Sequence, residues 1–302
     1  MKITVIGAGG FVGQHIVARL QARQDIADIR AVDRVTMPEG PKTTRFIGDF
    51  AQPDLRDAAL AGADSVIFLA AILGGAAEAD HALARRVNLD ATLELIDHLK
   101  DTAPGIRFVN ASTVAVYGAS LPDPCTDQTP LEPVLLYGAQ KLMIEVLLST
   151  YAKRGWLDAL SLRPAGVMAR DGADSALKSA FMSRLFHAVR RGEDITLPVG
   201  ENDRSWMASV ESVAQNFIHA AVLPDPGPNR AFSLPALSVR FGDLVTALRR
   251  RFPDSPSRVS YAPEPQIVAM FGNHPELVTE TAMRLGFLAD ADADMLVARV
   301  FP

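Results

Sequence analysis

Lys2-Ile3-Thr4-Val5-Ile6-Gly7-Ala8-Gly9-Gly10-Phe11-Val12-Gly13 is the stretch on which the reading of this chain turns. Its β-branched and apolar opening predicts a strand over 2–6, and the apolar spacing from Phe11 onward predicts a helix over 11–21. Gly7, Gly10 and Gly13 fall at G-x-x-G-x-x-G spacing, because Val12 breaks the alternative G-x-G-x-x-G frame. In such a turn the first glycine permits the tight bend, the second lets backbone approach a ligand, and the third permits close helix–strand packing. Unpaired N–H groups at the positive end of the helix dipole then favour a phosphate, so no lysine is required. Asp33 ends the next predicted strand twenty residues after Gly13, where an acid would bind ribose hydroxyls. Loop and acid together predict a dinucleotide site. Asp33 would repel a 2′-phosphate, which favours NAD over NADP. Its neighbour Arg34 either accommodates that phosphate or is a solvated loop side chain.

Outward from this loop, short apolar runs alternate with amphipathic stretches. Strands are predicted over 2–6, 29–33, 44–47, 65–70, 107–112 and 159–163, with helices over 11–21, 54–61, 81–100 and 137–153. Continuous apolar runs such as Val66-Ile67-Phe68-Leu69-Ala70-Ala71 suit strands buried on both faces. The expected fold is α/β, a Rossmann-type doubly wound parallel sheet with a smaller C-terminal α/β substrate lobe. Residues 1–165, completed by part of 205–235, form the expected NAD-binding domain, and 166–302 mainly the lobe. In that lobe a polar loop over 170–174 precedes a helix near 176–190, a strand near 195–198 and a helix over 213–222.

Composition closes off other classes. The 302 residues are 48% hydrophobic and 22% charged, ordinary for a globular protein. Lys plus Arg number 30 against 35 Asp plus Glu, a net charge of −5 that argues against a nucleic-acid partner. The single cysteine, Cys125, cannot form an internal disulfide and fits a reducing cytoplasm as a loop thiol without a role. Six scattered histidines have no zinc-site spacing. The longest apolar stretch, 65–77, is broken by Gly74 and Gly75 and falls short of the roughly 20 residues a membrane span needs. The expectation is a cytoplasmic protein with no membrane partner.

Tyr137 and Lys141 are four residues apart, on one face of a predicted helix. A phenol titrates near pH 10, roughly three units above working pH, so ionising it at pH 7 costs about 4 kcal/mol. A lysine ammonium beside it would offset that cost. The hydroxyls of Ser112 and Thr113, at the end of a predicted strand, could bind a substrate oxygen. On the same helix the stripe Leu142, Val146, Leu147 and Tyr151 reads as core.

With these residues in place the chain resembles the extended short-chain dehydrogenase/reductases, the NAD-dependent epimerase/dehydratase group. The resemblance rests on the glycine loop, Asp33, Gly48-Asp49-Phe50, Leu69-Ala70-Ala71, Val87-Asn88, Ser112-Thr113-Val114-Ala115-Val116-Tyr117-Gly118, Tyr137 with Lys141, and Arg163-Pro164, all in family order. It implies Tyr137 as acid/base, Lys141 on the nicotinamide ribose, and Thr113 on the substrate hydroxyl. It also implies cofactor contacts from Gly7, Gly10, Phe11, Val12, Gly13, Asp33, Asp49, Phe50, Leu69, Ala70, Ala71, Asn88, Pro164 and Val167. In resembling proteins the helix of Tyr137 and the one near 85–100 pack across a two-fold axis, which implies a homodimer.

The likeness is strongest to NAD-dependent dehydrogenases of small sugar acids, through Ala77-Glu78-Ala79-Asp80, Leu121-Pro122-Asp123-Pro124, Tyr151-Ala152-Lys153-Arg154-Gly155 and Leu285-Gly286-Phe287. The chain departs from that pattern over 167–174. A substrate carboxylate would be held by Arg204 or Arg170, since a guanidinium forks onto a carboxylate; a surface arginine is the other reading of Arg204. The alternative function is a nucleotide-sugar epimerase or dehydratase. Dehydratases resembling this fold carry Asp-Glu where this chain has Val114-Ala115, which can transfer no proton. Epimerases place an asparagine shortly after the strand of Arg163, and here Pro164-Ala165-Gly166-Val167 follows. Non-catalytic dinucleotide sensors lose the tyrosine or the lysine, and both are present.

Overall fold

The apolar runs of the N-terminal half pair edge to edge in the computed structural model, which describes residues 1–170 and 179–301. The strands are β1 (Lys2–Ile6), β2 (Asp28–Asp33), β3 (Thr43–Ile47), β4 (Ser65–Phe68), β5 (Arg107–Ala111) and β6 (Asp158–Arg163). β1 pairs in parallel with β2 and β4, and the pairs β2–β3, β4–β5 and β5–β6 are parallel as well. With β10 (Ala231–Ser233) at one edge, the sheet has seven strands in the order β10-β6-β5-β4-β1-β2-β3. Strand order therefore reverses between β1 and β4, the switch point at which open α/β sheets bind ligands beyond their carboxyl ends.

Parallel strands need crossovers, and the helices α1 (Phe11–Gln21), α2 (Pro53–Leu60), α3 (Gly74–Ala79), α4 (His81–Arg85), α5 (Ala91–Thr102) and α6 (Leu136–Lys153) lie between them in sequence. Val66, Phe68 and Phe108 from the strands pack with Leu95, Ile96 and Leu99 of α5 and Ile144 and Leu148 of α6 in one core cluster. These buried strands carry few polar side chains because both faces are covered.

The chain divides into two units. The first comprises Met1–Val116, Leu135–Arg163 and Ala214–Phe232, and the second Tyr117–Val134, Pro164–Val213 and Ser233–Pro302. In the second unit, β7 (Gly166–Val167), β9 (Arg204–Ala208) and β11 (Leu237–Arg240) make a three-stranded sheet, and β8 (Ile195–Leu197) pairs with β12 (Val259–Tyr261). Its core joins Phe181, Leu185 and Phe186 of α7 (Ala180–Arg191), Phe241, Leu244 and Leu248 of α9 (Phe241–Arg251), and Leu296 and Val297 of α12 (Ala293–Val300). The division between units falls inside α8 (Val210–Val222), which leads to β10 (Ala231–Ser233); α10 (Pro265–Ile267) and α11 (Glu280–Arg284) are short. Among the described residues, no helix is long and apolar enough to cross a membrane.

Two sequence expectations need correction, and a third lies outside the described residues. The helix over 81–100 carries a π-helical turn at Arg86–Asp90 between α4 and α5, where the side chain of Asn88 is drawn onto backbone outside the helix. β4 stops at Phe68, because Leu69 and the alanines after it turn over the glycine loop. The loop over 171–174 and the start of the helix near 176 lie outside the described residues, and α7 begins at Ala180.

The returning segment is clipped to the sheet by one carboxylate. Asp158 of β6 accepts from Arg107 Nε at 2.9 Å and Nη2 at 2.6 Å, and from Arg230 Nη1 at 2.6 Å, while Arg107 Nη1 reaches the carbonyl of Ala220 at 2.6 Å. Asp158→Ala leaves two guanidiniums without their counter-charge. It should lower unfolding free energy by about 2 kcal/mol, discounted for the partial exposure of the carboxylate. Urea melts of the two proteins check this; equal midpoints would show that the clip contributes nothing.

Candidate active site

The glycine loop is held by backbone bonds and by close approach. Gly7 has φ +89°, and its N–H and that of Ala8 both donate to the carbonyl of Val32, at 2.9 and 3.1 Å. A Cβ on Gly13 would sit 2.2 Å from the carbonyl oxygen of Gly7, so α1 lies against the loop only because that position has no side chain. Gly10 stands at the N-cap of α1 with no side chain to cap it, and a Cβ there would meet only Gly7 O, at 3.3 Å. The first-turn N–H groups of an α-helix have no intrahelical partner. An uncapped helix start beside an open backbone surface fits a pyrophosphate.

Asp33 is fixed beside it. One carboxylate oxygen accepts from Gly9 N at 2.9 Å, the other from Arg34 N at 2.7 Å and Val35 N at 3.3 Å. That leaves acceptor capacity on the first oxygen for a ribose hydroxyl. Arg34 is exposed. Asp49 tightens the turn after β3 by accepting from Ala51 N at 3.0 Å. The Phe50 ring is turned into the core against Phe68, with centroids 5.4 Å apart. Leu69 and Ala70 lie directly over Gly7, and Ala71 continues the same half-buried crossing. Phe11 and Val12 open α1 half-buried.

The face of α6 that is buried is not the expected one. Val146 is 62% exposed and Leu142 and Leu147 are half-buried, whereas Gln140, Lys141, Glu145 and Leu148 are buried, along with the expected Tyr151. A helix buries a charged stripe only where each charge is satisfied, and here Arg163 forks onto Glu145. Lys141 lies 3% exposed, with its Nζ 5.9 Å from the centroid of the Tyr137 ring. Burial pushes the Lys141 ammonium down to about 8, and the nearby Glu145 carboxylate opposes that fall.

Asn88 locks the start of this helix. Its amide accepts from Ile72 N at 2.8 Å and donates to Ile72 O at 2.9 Å and to Gln140 Oε1 at 2.7 Å. Those bonds tie the π-helical turn to Ile72 on one side and to α6 on the other. Glu78 accepts from Leu136 N at 2.7 Å and satisfies one of the open N–H groups of α6. Neither Gln140, Glu145 nor Glu78 stood out as functional in the sequence; the spacing of Glu145, four after Lys141, was the available signal. Ser112, just past β5, is buried with an Oγ that has no hydrogen-bond partner, and Thr113 Oγ1 accepts from Ala115 N at 3.1 Å. Val114 and Ala115 occupy the short helical turn that follows.

The remaining predicted residues lie in the second unit. Pro164 opens its segment Pro164–Val213, and Val167 sits on β7 opposite Ala208. Arg204 begins β9, half-buried, with its carbonyl accepting from His274 N at 3.1 Å. His274 stacks on Trp206 with centroids 4.6 Å apart, and burial pushes it down to about 4, so it is neutral at pH 7. Arg170 follows Ala169, a non-glycine residue at φ 59° whose carbonyl lies 3.2 Å from His187 Nε2. That left-handed conformation costs an alanine of order 1 kcal/mol.

Residues 3–234 match the NAD dependent epimerase/dehydratase family. The chain belongs to this family of enzymes, oxidoreductases of the extended short-chain dehydrogenase/reductase type with a Rossmann sheet. It is 32% identical to the D-erythronate dehydrogenase of Cupriavidus necator over 98% of this chain and 97% of that protein. It is 28% identical to the D-erythronate dehydrogenase of Haemophilus influenzae, over 97% of this chain and 96% of that one. Among solved structures, it superposes on the nucleoside-diphosphate-sugar epimerase of Agrobacterium tumefaciens with a TM-score of 0.87 and 31% identity, covering 98% and 92% of the two chains.

A buried ammonium leaves a mark on stability. With Lys141 at about 8 in the folded state and near 10.4 unfolded, the unfolded chain binds more protons between those values, so stability rises with pH across that window. Below pH 8 the full penalty stands, about 3 kcal/mol at 1.36 kcal/mol per unit. Lys141→Met should therefore be more stable at pH 7 by up to about that amount and lose the rise between pH 8 and 10. Urea unfolding at pH 7, 8.5 and 10 checks both; an unchanged rise in the variant would refute the burial penalty.

Proposed function

We propose that this protein is an NAD-dependent dehydrogenase that oxidises a secondary hydroxyl of a small sugar acid of the D-erythronate type. The observation that carries this reading is an intact Tyr137–Lys141 pair on α6 with only Val114 and Ala115 where a dehydratase needs further proton donors. The full-length similarity to two D-erythronate dehydrogenases supports the substrate class.

In this reading the backbone of the glycine loop, Asp33, Asp49, the backbone of Phe50, Leu69, Ala70 and Ala71 hold the dinucleotide, with Lys141 on its ribose. Pro164 and Val167 are assigned to it by family resemblance. Bound NAD supplies the hydride acceptor. Thr113, with Ser112 beside it, holds the substrate oxygen, and Tyr137, ionised to the phenolate, takes the proton from that oxygen. Lys141 lowers the cost of the phenolate, which would otherwise be about 4 kcal/mol at pH 7. The carboxylate of the acid calls for a guanidinium, Arg204 or Arg170, both carried by the second unit. We also read the chain as a homodimer along α5 and α6, because Met143 and Val146 of α6 are 58% and 62% exposed.

Two experiments test this. A panel of four-carbon and six-carbon sugar acids, set beside UDP- and dTDP-sugars, should give stoichiometric NADH over many turnovers with a sugar acid. Tyr137→Phe should lose at least about a hundredfold in kcat with NAD affinity nearly unchanged. Epimerised nucleotide sugar without free NADH would establish the epimerase instead. In the second, calorimetry should give tighter binding of NAD than NADP. Asp33→Ala should narrow the gap by about tenfold or more, since roughly 1.4 kcal/mol of charge repulsion corresponds to that factor. Equal affinities in the unaltered protein would overturn the cofactor preference.

A further inference from the structure

The Glu145–Arg163 pair has no part in the assignments above, and among the described residues it is the most completely buried ion pair around α6. The side chains are 2% and 8% exposed. Arg163 Nε donates to Oε1 at 2.9 Å and to Oε2 at 3.1 Å, and Nη2 donates to Oε2 at 2.6 Å. Arg163 is the last residue of β6, so the fork ties the middle of α6 to the carboxyl end of a sheet strand. Glu145 lies four residues after Lys141, directly beneath it on the same buried face.

Buried ion pairs are poor sources of stability, since desolvation cancels most of the attraction. Well-packed apolar residues at 145 and 163 would serve the fold as well or better. A pair kept here therefore asks for a use. We propose that Glu145, fixed by Arg163, is a positioning residue that sets the height of Lys141 beside Tyr137 and keeps the lysine ammonium charged in its dry surroundings. This proposal rests on the roles given above to Tyr137 and Lys141.

The charge balance around Lys141 supports it. Among the described residues, the Glu145 carboxylate is the group that raises the Lys141 affinity for protons against burial. Other elements packed on α6 bring their charges elsewhere, and Asp97 of α5 accepts from the Tyr151 hydroxyl at 2.6 Å. Glu78 of α3 is engaged at Leu136 N, and Arg86 and Asp90 of the π-helical turn are exposed. Asp158 of β6 is held by Arg107 and Arg230, and the turn Val114–Val116 carries no titratable side chain. On α6 itself the Tyr137 phenol shares the site, and turning it to phenolate makes the ammonium still more necessary. Removing the Glu145 charge alone would take from Lys141 the carboxylate that opposes its burial.

The test reads Lys141 directly in the full-length protein without cofactor, by NMR titration of lysine labelled with 13C at Cε, its signal assigned by absence in Lys141→Met. The unaltered protein should titrate near pH 8. Glu145→Gln should lower that midpoint by at least one unit and move the alkaline limb of the kcat–pH profile down with it. Glu145→Asp should bring both back towards the original value. Should Glu145→Gln fail to fold, the double variant Glu145→Gln with Arg163→Gln removes both charges together and leaves no lone buried ion. It should melt near the unaltered protein and still titrate lower at Lys141. An unmoved midpoint in every folded variant lacking the carboxylate would overturn the proposal and leave the pair a purely structural tie. A Tyr137→Phe enzyme with full turnover would remove the assigned acid/base instead, while the lysine midpoint would still decide what Glu145 does.

Discussion

An ammonium group kept out of water is the constraint to which the Tyr137 helix answers. Lys141 gives up its hydration on folding, and burial drives it towards neutrality at about pH 8, against an ordinary value near 10.4. A site that needs that charge must hold the lysine where water cannot reach and still leave it protonated. The structure meets this with three ties on α6. Glu78 takes a backbone N–H at its start, Asn88 grips Gln140 one residue before the lysine, and Arg163 forks onto Glu145 one turn beyond it. Each tie comes from a different element, so the helix can neither slide along its axis nor rotate without breaking one of them.

The fold was legible because it is written in local terms. Strand β1, the three glycines of the loop and helix α1 follow from side-chain periodicity and from backbone geometry that few residues can adopt. Asp33 was legible for the same reason, as the last residue of the next strand. The buried face of α6 was not. Its apolar residues suggested a stripe through Leu142, Val146 and Leu147, yet Val146 is mostly exposed while Lys141 and Glu145 are buried. Hydrophobic patterning assumes that charges seek water, and it fails where a charge has a partner from elsewhere in the chain. Arg163 is eighteen residues from Glu145, and no periodicity links them. Asn88 shows the same limit, since its partners at Ile72 and Gln140 meet only through the tertiary fold.

The candidate groups of the two units are held in different ways. In the first, the groups assigned to cofactor and proton transfer stand at strand ends, at a helix start and on one turn of α6, all fixed by backbone bonds or by buried partners. In the second, Arg204 is anchored through its backbone to the segment of His274. Arg170 follows an alanine forced into a left-handed conformation.

The π-helical turn at Arg86–Asp90 has a consequence for how this chain can change. Such a turn amounts to one surplus residue in an otherwise α-helical run, and each residue advances the helix by about 100°. The surplus residue is what allows Asn88 to face Ile72 while Leu95, Ile96 and Leu99 face the sheet core. Losing one codon there would restore an ideal helix and swing the apolar side chains of α5 about a quarter turn off the core. The segment can therefore drift by substitution but not by length, and a one-residue gap here would be tolerated only with a matching change on the far side of the helix.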